Sequence, residues 1–387
     1  MISGTNRAGP LSMEPMIGVA SEYASNPFLN SSQARAQNNQ ALLFDDPTRY
    51  DLDSLHIAID PSIRYGDSGS YASLASNYFH LSGSTILLSD LDTLTLKAGL
   101  GRDSSLYQYG LASDGVGVRS DSNSASLDWQ HTLTERGSIA LDGGWSRVLY
   151  SQGAAATGLV DYRYYSAGAT ASYALTERNT LQLTVNAGQY SALDNLTSSR
   201  NFALRLGFDR KLTEIWSLST SLGYAKSNNS EKIYSGPVFV GSVEYGPYYL
   251  ETVHASQRGP VFNAGVTRTG ETVTFKAYAS RAFLPSGFAF LSRQDIADIE
   301  ANYLRSDRLS FGAVLSYQTT ATPAPNASLY STHYFSGQLS AAWHWTPNWL
   351  ITLNTRWIKV RYDLPPVEAQ STGVSLQISR QFYRIDL

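Results

Sequence analysis

Cysteine is absent from the 387 residues. That excludes a disulfide framework and thiolate chemistry, and leaves any zinc site only histidine and carboxylate ligands. Charge is scarce: Asp, Glu, Lys and Arg make up 16% of the chain, and 29 cations against 32 acids give a formal net charge of -3. Binding a phosphate backbone needs a concentrated basic surface, so no nucleic-acid partner is expected. Long apolar runs are missing as well, none approaching the roughly 18 residues of a membrane helix. Residues 1–16 include Arg7 but no apolar core, so no signal peptide is visible; the protein is cytosolic or its leader has been removed.

What the chain has instead is 30 Gly, 25 Tyr, 14 Phe and 7 Trp. That mixture suits many strands joined by tight turns, with aromatic belts at membrane surfaces. It suits a helical enzyme poorly.

Apolar and polar residues alternate along nearly the whole sequence, in runs about as long as a membrane-spanning strand (~9–11 residues). Leu55, Ile57, Ile59 and Ile63 oppose His56, Asp60, Ser62 and Arg64; Leu127 and Trp129 oppose Ser126, Asp128 and Gln130. Phe202, Leu204, Leu206 and Phe208 oppose Arg205 and Asp209, and Phe335, Leu339, Trp343 and Trp345 oppose Ser336, Gln338 and Ser340. Successive strand side chains point to opposite faces, so each run has one greasy and one polar side. All the tryptophans fall on the apolar parity, several of them beside short turns where an interfacial girdle would lie.

The turns recur too. Leu-Thr-Glu begins the polar joints at 133, 175 and 212. Longer connections are expected near 102–122, 148–160, 226–259 and 319–331, and the Asn/Gln/Ser-rich stretch 25–50 reads as a loop. Short turns on one rim and long connections on the other describe an all-β, up-and-down antiparallel transmembrane barrel. Its strand number must be even; 18 is favoured, with Ser84–Ser89 as a candidate extra strand, and 16 is the alternative. The expected organisation is a disordered segment over 1–15 and one barrel domain over 16–387, in a bacterial outer membrane.

The polar parity supplies the candidate pore lining: Asp60, Arg64, Lys97, Asp128, Asp142, Arg205, Asp209, Lys276, Asp298, Glu300 and Arg356. A wall of mixed sign selects weakly for ion charge. Tyr162, Tyr164, Tyr278 and Tyr334 share that parity, as sugar-stacking platforms or as fillers of lumen space. The histidines His56, His80, His131, His254, His333 and His344 show no ligand spacing, so neither a metal site nor a cofactor is expected. A rim enzyme would need a serine and an acid beside His254 or His333, and no local serine motif accompanies either. The expected activity is not enzymatic.

Ser21-Glu-Tyr-Ala-Ser-Asn-Pro-Phe-Leu29 resembles the first strand of the β-barrel porin type 2 group, which runs into a Tyr-x-x-Asn element. Asp60-Pro-Ser-Ile-Arg-Tyr65, Gly101-Arg-Asp-Ser-Ser105 and Leu159-Val-Asp-Tyr-Arg-Tyr164 are similar to further features of that group. The resemblance implies a Gram-negative outer-membrane barrel, often linked with exopolysaccharide production. It therefore implies a polysaccharide substrate and periplasmic export partners, alongside outer-membrane lipid and lipopolysaccharide. The expectation is a polar-lined pore for exopolysaccharide export; the alternatives are a general diffusion porin, with 226–259 as a constricting loop, and a surface receptor or adhesin working through Tyr234–Tyr249.

Overall fold

A computed structural model describes residues 11–27, 29, 31, 34–67, 77–103, 119–151, 159–235, 238–240, 243–245, 249–287, 290–322, 330–363, 366–383 and 385–386. The strands are β1 (Met16–Ala24), β2 (Gln37–Asp45), β3 (Leu55–Asp67), β4 (Tyr78–Leu88), β5 (Asp92–Asp103) and β6 (Ser120–Thr132). Then come β7 (Gly137–Tyr150), β8 (Tyr162–Thr176), β9 (Asn179–Ala192), β10 (Thr197–Lys211), β11 (Trp216–Ser235) and β12 (Tyr249–Thr269). The last six are β13 (Val273–Pro285), β14 (Leu291–Ser306), β15 (Leu309–Thr322), β16 (Tyr330–Thr346), β17 (Trp349–Tyr362) and β18 (Val367–Gln381). Each pairs antiparallel with its sequence neighbours, and β1 returns to β18 from Met16↔Gln381 to Ala24↔Gly373, closing an 18-stranded barrel. Closure leaves no edge, so every ladder donor can be satisfied within the wall.

The outward parity is apolar. Leu222 is 67% exposed and Leu339 62%, with Leu204, Leu206, Leu315 and Leu376 similarly bare. Apolar side chains so exposed all round a closed wall are matched by hydrocarbon rather than water, which makes this an outer-membrane barrel. Trp129, Trp216, Trp343, Trp345 and Trp349 lie outward near the short turns. There Asp92 accepts hydrogen bonds from Trp129 Nε1 (3.0 Å) and pairs with His131 Nδ1 (2.8 Å).

The repeated Leu-Thr-Glu turns share one device. Thr134 Oγ1 accepts the backbone N–H of Gly137 at 2.9 Å, Thr176 Oγ1 that of Asn179 at 3.1 Å, and Thr213 Oγ1 that of Trp216 at 3.0 Å. A threonine hydroxyl closing its own turn explains why the same tripeptide recurs.

Two strands differ from expectation. Residues 37–45, read as loop, form β2, and Thr48–Leu52 continues it against β3. On β2 the outward side carries Asn38 and Gln40 above Leu42 and Phe44, so composition hid the alternation. Of the candidate Ser84–Ser89, all but Ser89 belongs to the longer β4, whose outward side includes Gly83 and Thr85 and whose inward side includes Ile86. Within the segment expected to be disordered over 1–15, Leu11–Met13 is a short strand in which Leu11 pairs with Tyr50; residues 1–10 lie outside the described residues. The expected constricting loop 226–259 is largely ladder: β11 and β12 pair up to Ser235↔Tyr249, with a small hairpin of Val238–Val240 and Val243–Tyr245 beyond. The side chains of Tyr234–Tyr249, the expected receptor surface, lie outside the described residues.

Near the closing seam, strands break at prolines. Glu14 N–H donates to the Pro47 carbonyl (3.2 Å), Asp46 N–H to Pro61 (3.3 Å) and Phe382 N–H to Pro15 (2.9 Å). Proline has no ladder donor, so it is tolerated where the ladder kinks.

Candidate functional site

The barrel's interior is a polar surface to which all the strands contribute. On β3–β8 its wall is made of small side chains: Ser82, Ser84, Gly99, Ser124, Ser126, Gly144, Ser146 and Ser166 border a bay of about 540 Å³ with Asp60, Lys97 and Tyr164. Alternation puts one residue in two of each strand here, and because so many of them are Ser or Gly the wall stands back from the axis.

The register carries all the charged candidates on this inward parity. Asp60 meets Arg49 at 2.6 Å. Arg64 is buried with Glu22 at 3.2 Å. Lys97 lies opposite Ser126 on the bay. Asp128 faces Asp142 directly across the ladder, and Arg205 lies within electrostatic reach of Asp142. Arg205 donates to Asn186 Oδ1, and Asp209 accepts from Gln182 Nε2 at 2.6 Å. Lys276 and Glu300 approach to 3.9 Å, Asp298 accepts from Ser316, and Arg356 stands opposite Gln338. The grouping is thus a chain of local pairs along the wall, not one converging cluster. Arg49 and Glu22 were missed. Arg49 was hidden in the supposed loop, whereas Glu22 was readable from its parity with Gly18, Ala20 and Ala24.

A second feature was not legible. β12 and β13 stop pairing at Phe262↔Arg281, while β13 and β14 stay paired to Pro285↔Leu291. Freed on one side, the tip of this hairpin leans into the lumen. Phe283 has outward parity, yet it packs on the inward residues Ala203, Ala225 and Val261. Leu291, also outward by parity, is 0% exposed against Tyr162, Tyr190 and Ala192, and its N–H reaches Ser199 Oγ at 3.4 Å. Val160 N–H donates to the Gly287 carbonyl at 2.8 Å. A Cβ on Gly287 would strike the Tyr150 hydroxyl and lie 2.7 Å from Leu159 Cδ2, so a larger residue here would have to push those side-chain ends aside. The hairpin therefore lines the inner faces of β8–β12, and this element, not 226–259, narrows the lumen among the described residues.

The four tyrosines separate accordingly. Tyr162 stacks on Tyr190 at 5.1 Å beneath Leu291 and fills space. Tyr164 packs at the edge of that cluster and borders the bay. Tyr278 is 40% exposed opposite Asp298, and Tyr334 faces Gln318.

Outside the lumen, His333 gathers a serine and an acid. Asp363 Oδ2 is 3.3 Å and Ser331 Oγ 3.5 Å from the same ring nitrogen, Nε2, while Tyr317 OH is 3.0 Å from Nδ1. A serine nucleophile relay needs the serine and the acid on opposite nitrogens, so Ser331, His333 and Asp363 are not arranged as one. Hydrogen bonding from Ser331, then from His333, holds the Asp363 carboxyl below the usual carboxylate range. His254 meets Ser230 at 2.9 Å on the outer face. No group of three or more His, Asp or Glu poised for a metal occurs among the described residues.

No family model matches the chain, so the porin type 2 name finds no support there, and no curated protein matches it. Among solved structures it is similar to OpdO of Pseudomonas aeruginosa, at 13% identity over 96% of this chain and 98% of that one, with a TM-score of 0.49. It is also similar to the ferric-catecholate import receptor Fiu of E. coli K12, at 9% identity over 97% and 82%, with a TM-score of 0.48. The copper transporter OprC matches at 11% identity and a TM-score of 0.47, over 93% of this chain; the chain spans 63% of OprC's length. Each is a likeness of barrel architecture and assigns no substrate.

Proposed function

We propose that the protein is a passive outer-membrane pore for small polar solutes, with its long-connection rim at the cell surface and its short turns in the periplasm. Barrels of 16–18 strands are wide enough to enclose an aqueous channel. The observation that carries the reading is the contrast inside the lumen: a recessed Ser/Gly wall on β3–β8 faces a hairpin packed on β8–β12. The charged candidates line this path as mixed, mostly paired groups, which predicts weak ion selectivity. Export of a polysaccharide gains no support from the tyrosines, since Tyr162 is sealed under Leu291 and the others do not form a continuous track.

Single-channel recording of the refolded protein in a planar bilayer tests this. Steady conductance with little preference between K⁺ and Cl⁻ is expected, and block by small sugars in preference to long polymers. A silent bilayer from a barrel that keeps its heat-resistant gel mobility would refute the pore. Entry of long polymers would restore the export reading. Replacing Arg205 and Arg356 with alanine should shift selectivity toward cations without unfolding the barrel; unchanged reversal potentials would remove those two from the pathway.

A further inference from the structure

Outward-facing cations are distributed unevenly around the barrel. On β5–β6, Arg102 is held by Asp121 at 2.8 Å. On β13–β14, Arg281 is held by Asp295 at 2.5 Å. At the β17–β18 end, Lys359 meets Glu368 at 2.9 Å and Arg361 meets Asp363 at 3.6 Å. The arc between, β7–β12, carries Arg147, Arg163, Arg200, Lys226 and Arg258 on its outward parity, and none of them has an ion-pair partner among the described residues.

Two of these contacts are unfavourable as they stand. Arg147 lies directly across the ladder from Arg163, and Lys226 directly across from Arg258. Like charges in opposed positions destabilise a sheet unless an anion sits between them. The Arg147 Nε is buried and meets no acceptor. The sequence has acids to spare, and it uses them on the neighbouring arcs.

Depth gives the second constraint. Arg147, Arg163, Arg200 and Lys226 each lie one outward-facing step beyond an aromatic, toward the long-connection rim: Trp145, Tyr165, Phe202 and Tyr224 respectively. Tyr165, Phe202 and Tyr224 are about half exposed, and Leu204, Leu206 and Leu222 continue the apolar surface below them. Aromatic belts mark the boundary between hydrocarbon and headgroups, so the cations stand at headgroup depth. A ligand fitting both levels has acyl chains below and phosphate above.

We infer that the outward arc of β7–β12 binds the phosphate groups of an anionic glycolipid of the outer leaflet, with its acyl chains on Leu204, Leu206 and Leu222. This rests on the proposed orientation of the barrel, but not on its conducting. The phosphates neutralise the opposed pairs Arg147/Arg163 and Lys226/Arg258, as bidentate guanidinium contacts do best.

The test is native mass spectrometry of the full chain in detergent, titrated with diphosphoryl lipid A, with the fully dephosphorylated lipid, and with inorganic phosphate. Diphosphoryl lipid A should bind stoichiometrically, and both comparison ligands much more weakly. Changing all five cations to glutamine should weaken lipid A binding about a hundredfold, from the summed headgroup attraction of several basic side chains. The paired-arc control Arg102→Gln/Asp121→Asn should leave it within about twofold. Should the five-site variant fail to fold, Lys226→Gln/Arg258→Gln alone should give a smaller loss in the same direction. Equal binding of the dephosphorylated lipid, equal binding of free phosphate, or undiminished binding by the variants would each overturn the inference. Conductance is read separately: a silent barrel that still binds lipid A refutes the pore and leaves this site standing.

Discussion

The two sides of the lumen solve the same problem with opposite materials. On β3–β8 many of the inward positions are serine or glycine, and the wall is left bare. On β8–β12 they include Tyr162, Tyr190, Ala203 and Val261, and a hairpin tip covers them with Phe283 and Leu291. Both walls have the same period and the same ladder. What differs is whether the inward residues offer an apolar seat. Pore shape here is thus set by which side chains sit on one parity, not by a change in the barrel itself.

The largest effect is expected at Gly223, on the covered side. A Cβ there would collide with the Leu204 carbonyl and crowd Arg205 Cα at 2.8 Å, backbone that cannot step aside. Gly223→Val should prevent closure of the barrel, seen as loss of heat-resistant gel mobility; the same change at Gly143, where a Cβ meets nothing within 4 Å, should be tolerated. Next in size is the hairpin's anchor. Phe283→Ala with Leu291→Ala removes two buried apolar contacts worth about 2–5 kcal/mol each. Conductance should rise as the tip comes loose, and thermal stability should fall. The mirror experiment is Ser84→Trp with Ser126→Trp on the bare wall, which should lower conductance with little effect on stability. If both double variants moved conductance the same way, the two walls would not have the roles assigned to them.

The smallest effect is expected away from both walls, at Asp363. Its carboxyl is held below the ordinary range by Ser331 and then by His333. The folded value being depressed, its contribution is fully present above the unfolded carboxylate pKa, and is lost only as pH falls through the lower folded value. A carboxylate-resolved infrared titration should show Asp363 ionised at a pH where an ordinary aspartate is half protonated, and Ser331→Ala should raise its midpoint. An unshifted midpoint would mean that the Ser331 contact does not hold in solution.

Much of the barrel was legible because alternation with one lipid-facing side is a strong signal. Phe202, Leu204, Leu206 and Phe208 left no second reading. β2 was not legible, because Asn38 and Gln40 put polar groups outward near the rim, where headgroups and water tolerate them. The inward candidates were readable from parity alone, but their partners were not: Arg49 meets Asp60, and Glu22 meets Arg64, through strand neighbours that only the register reveals. The in-folded hairpin was beyond reach for a different reason. Phe283 and Leu291 obey the outward parity and would be assigned to lipid; they turn inward because one ladder ends at Phe262 and the other continues.

The prolines beside the seam carry a consequence for assembly. A wall with no free edge has to be completed by its two terminal strands, and the last stretch to zip is the one with the fewest donors. Pro15, Pro47 and Pro61 remove donors from adjacent strands at the end of the seam nearest the short turns, leaving single bonds such as Phe382 N–H to Pro15 to bridge the kinks. Below the kink the seam pairs again only briefly, as Met13↔Ile385 and Ser12↔Asp386, a short ladder separated from the continuous run between Met16↔Gln381 and Ala24↔Gly373. The seam has a loose hem, and amide exchange in the folded barrel should begin there.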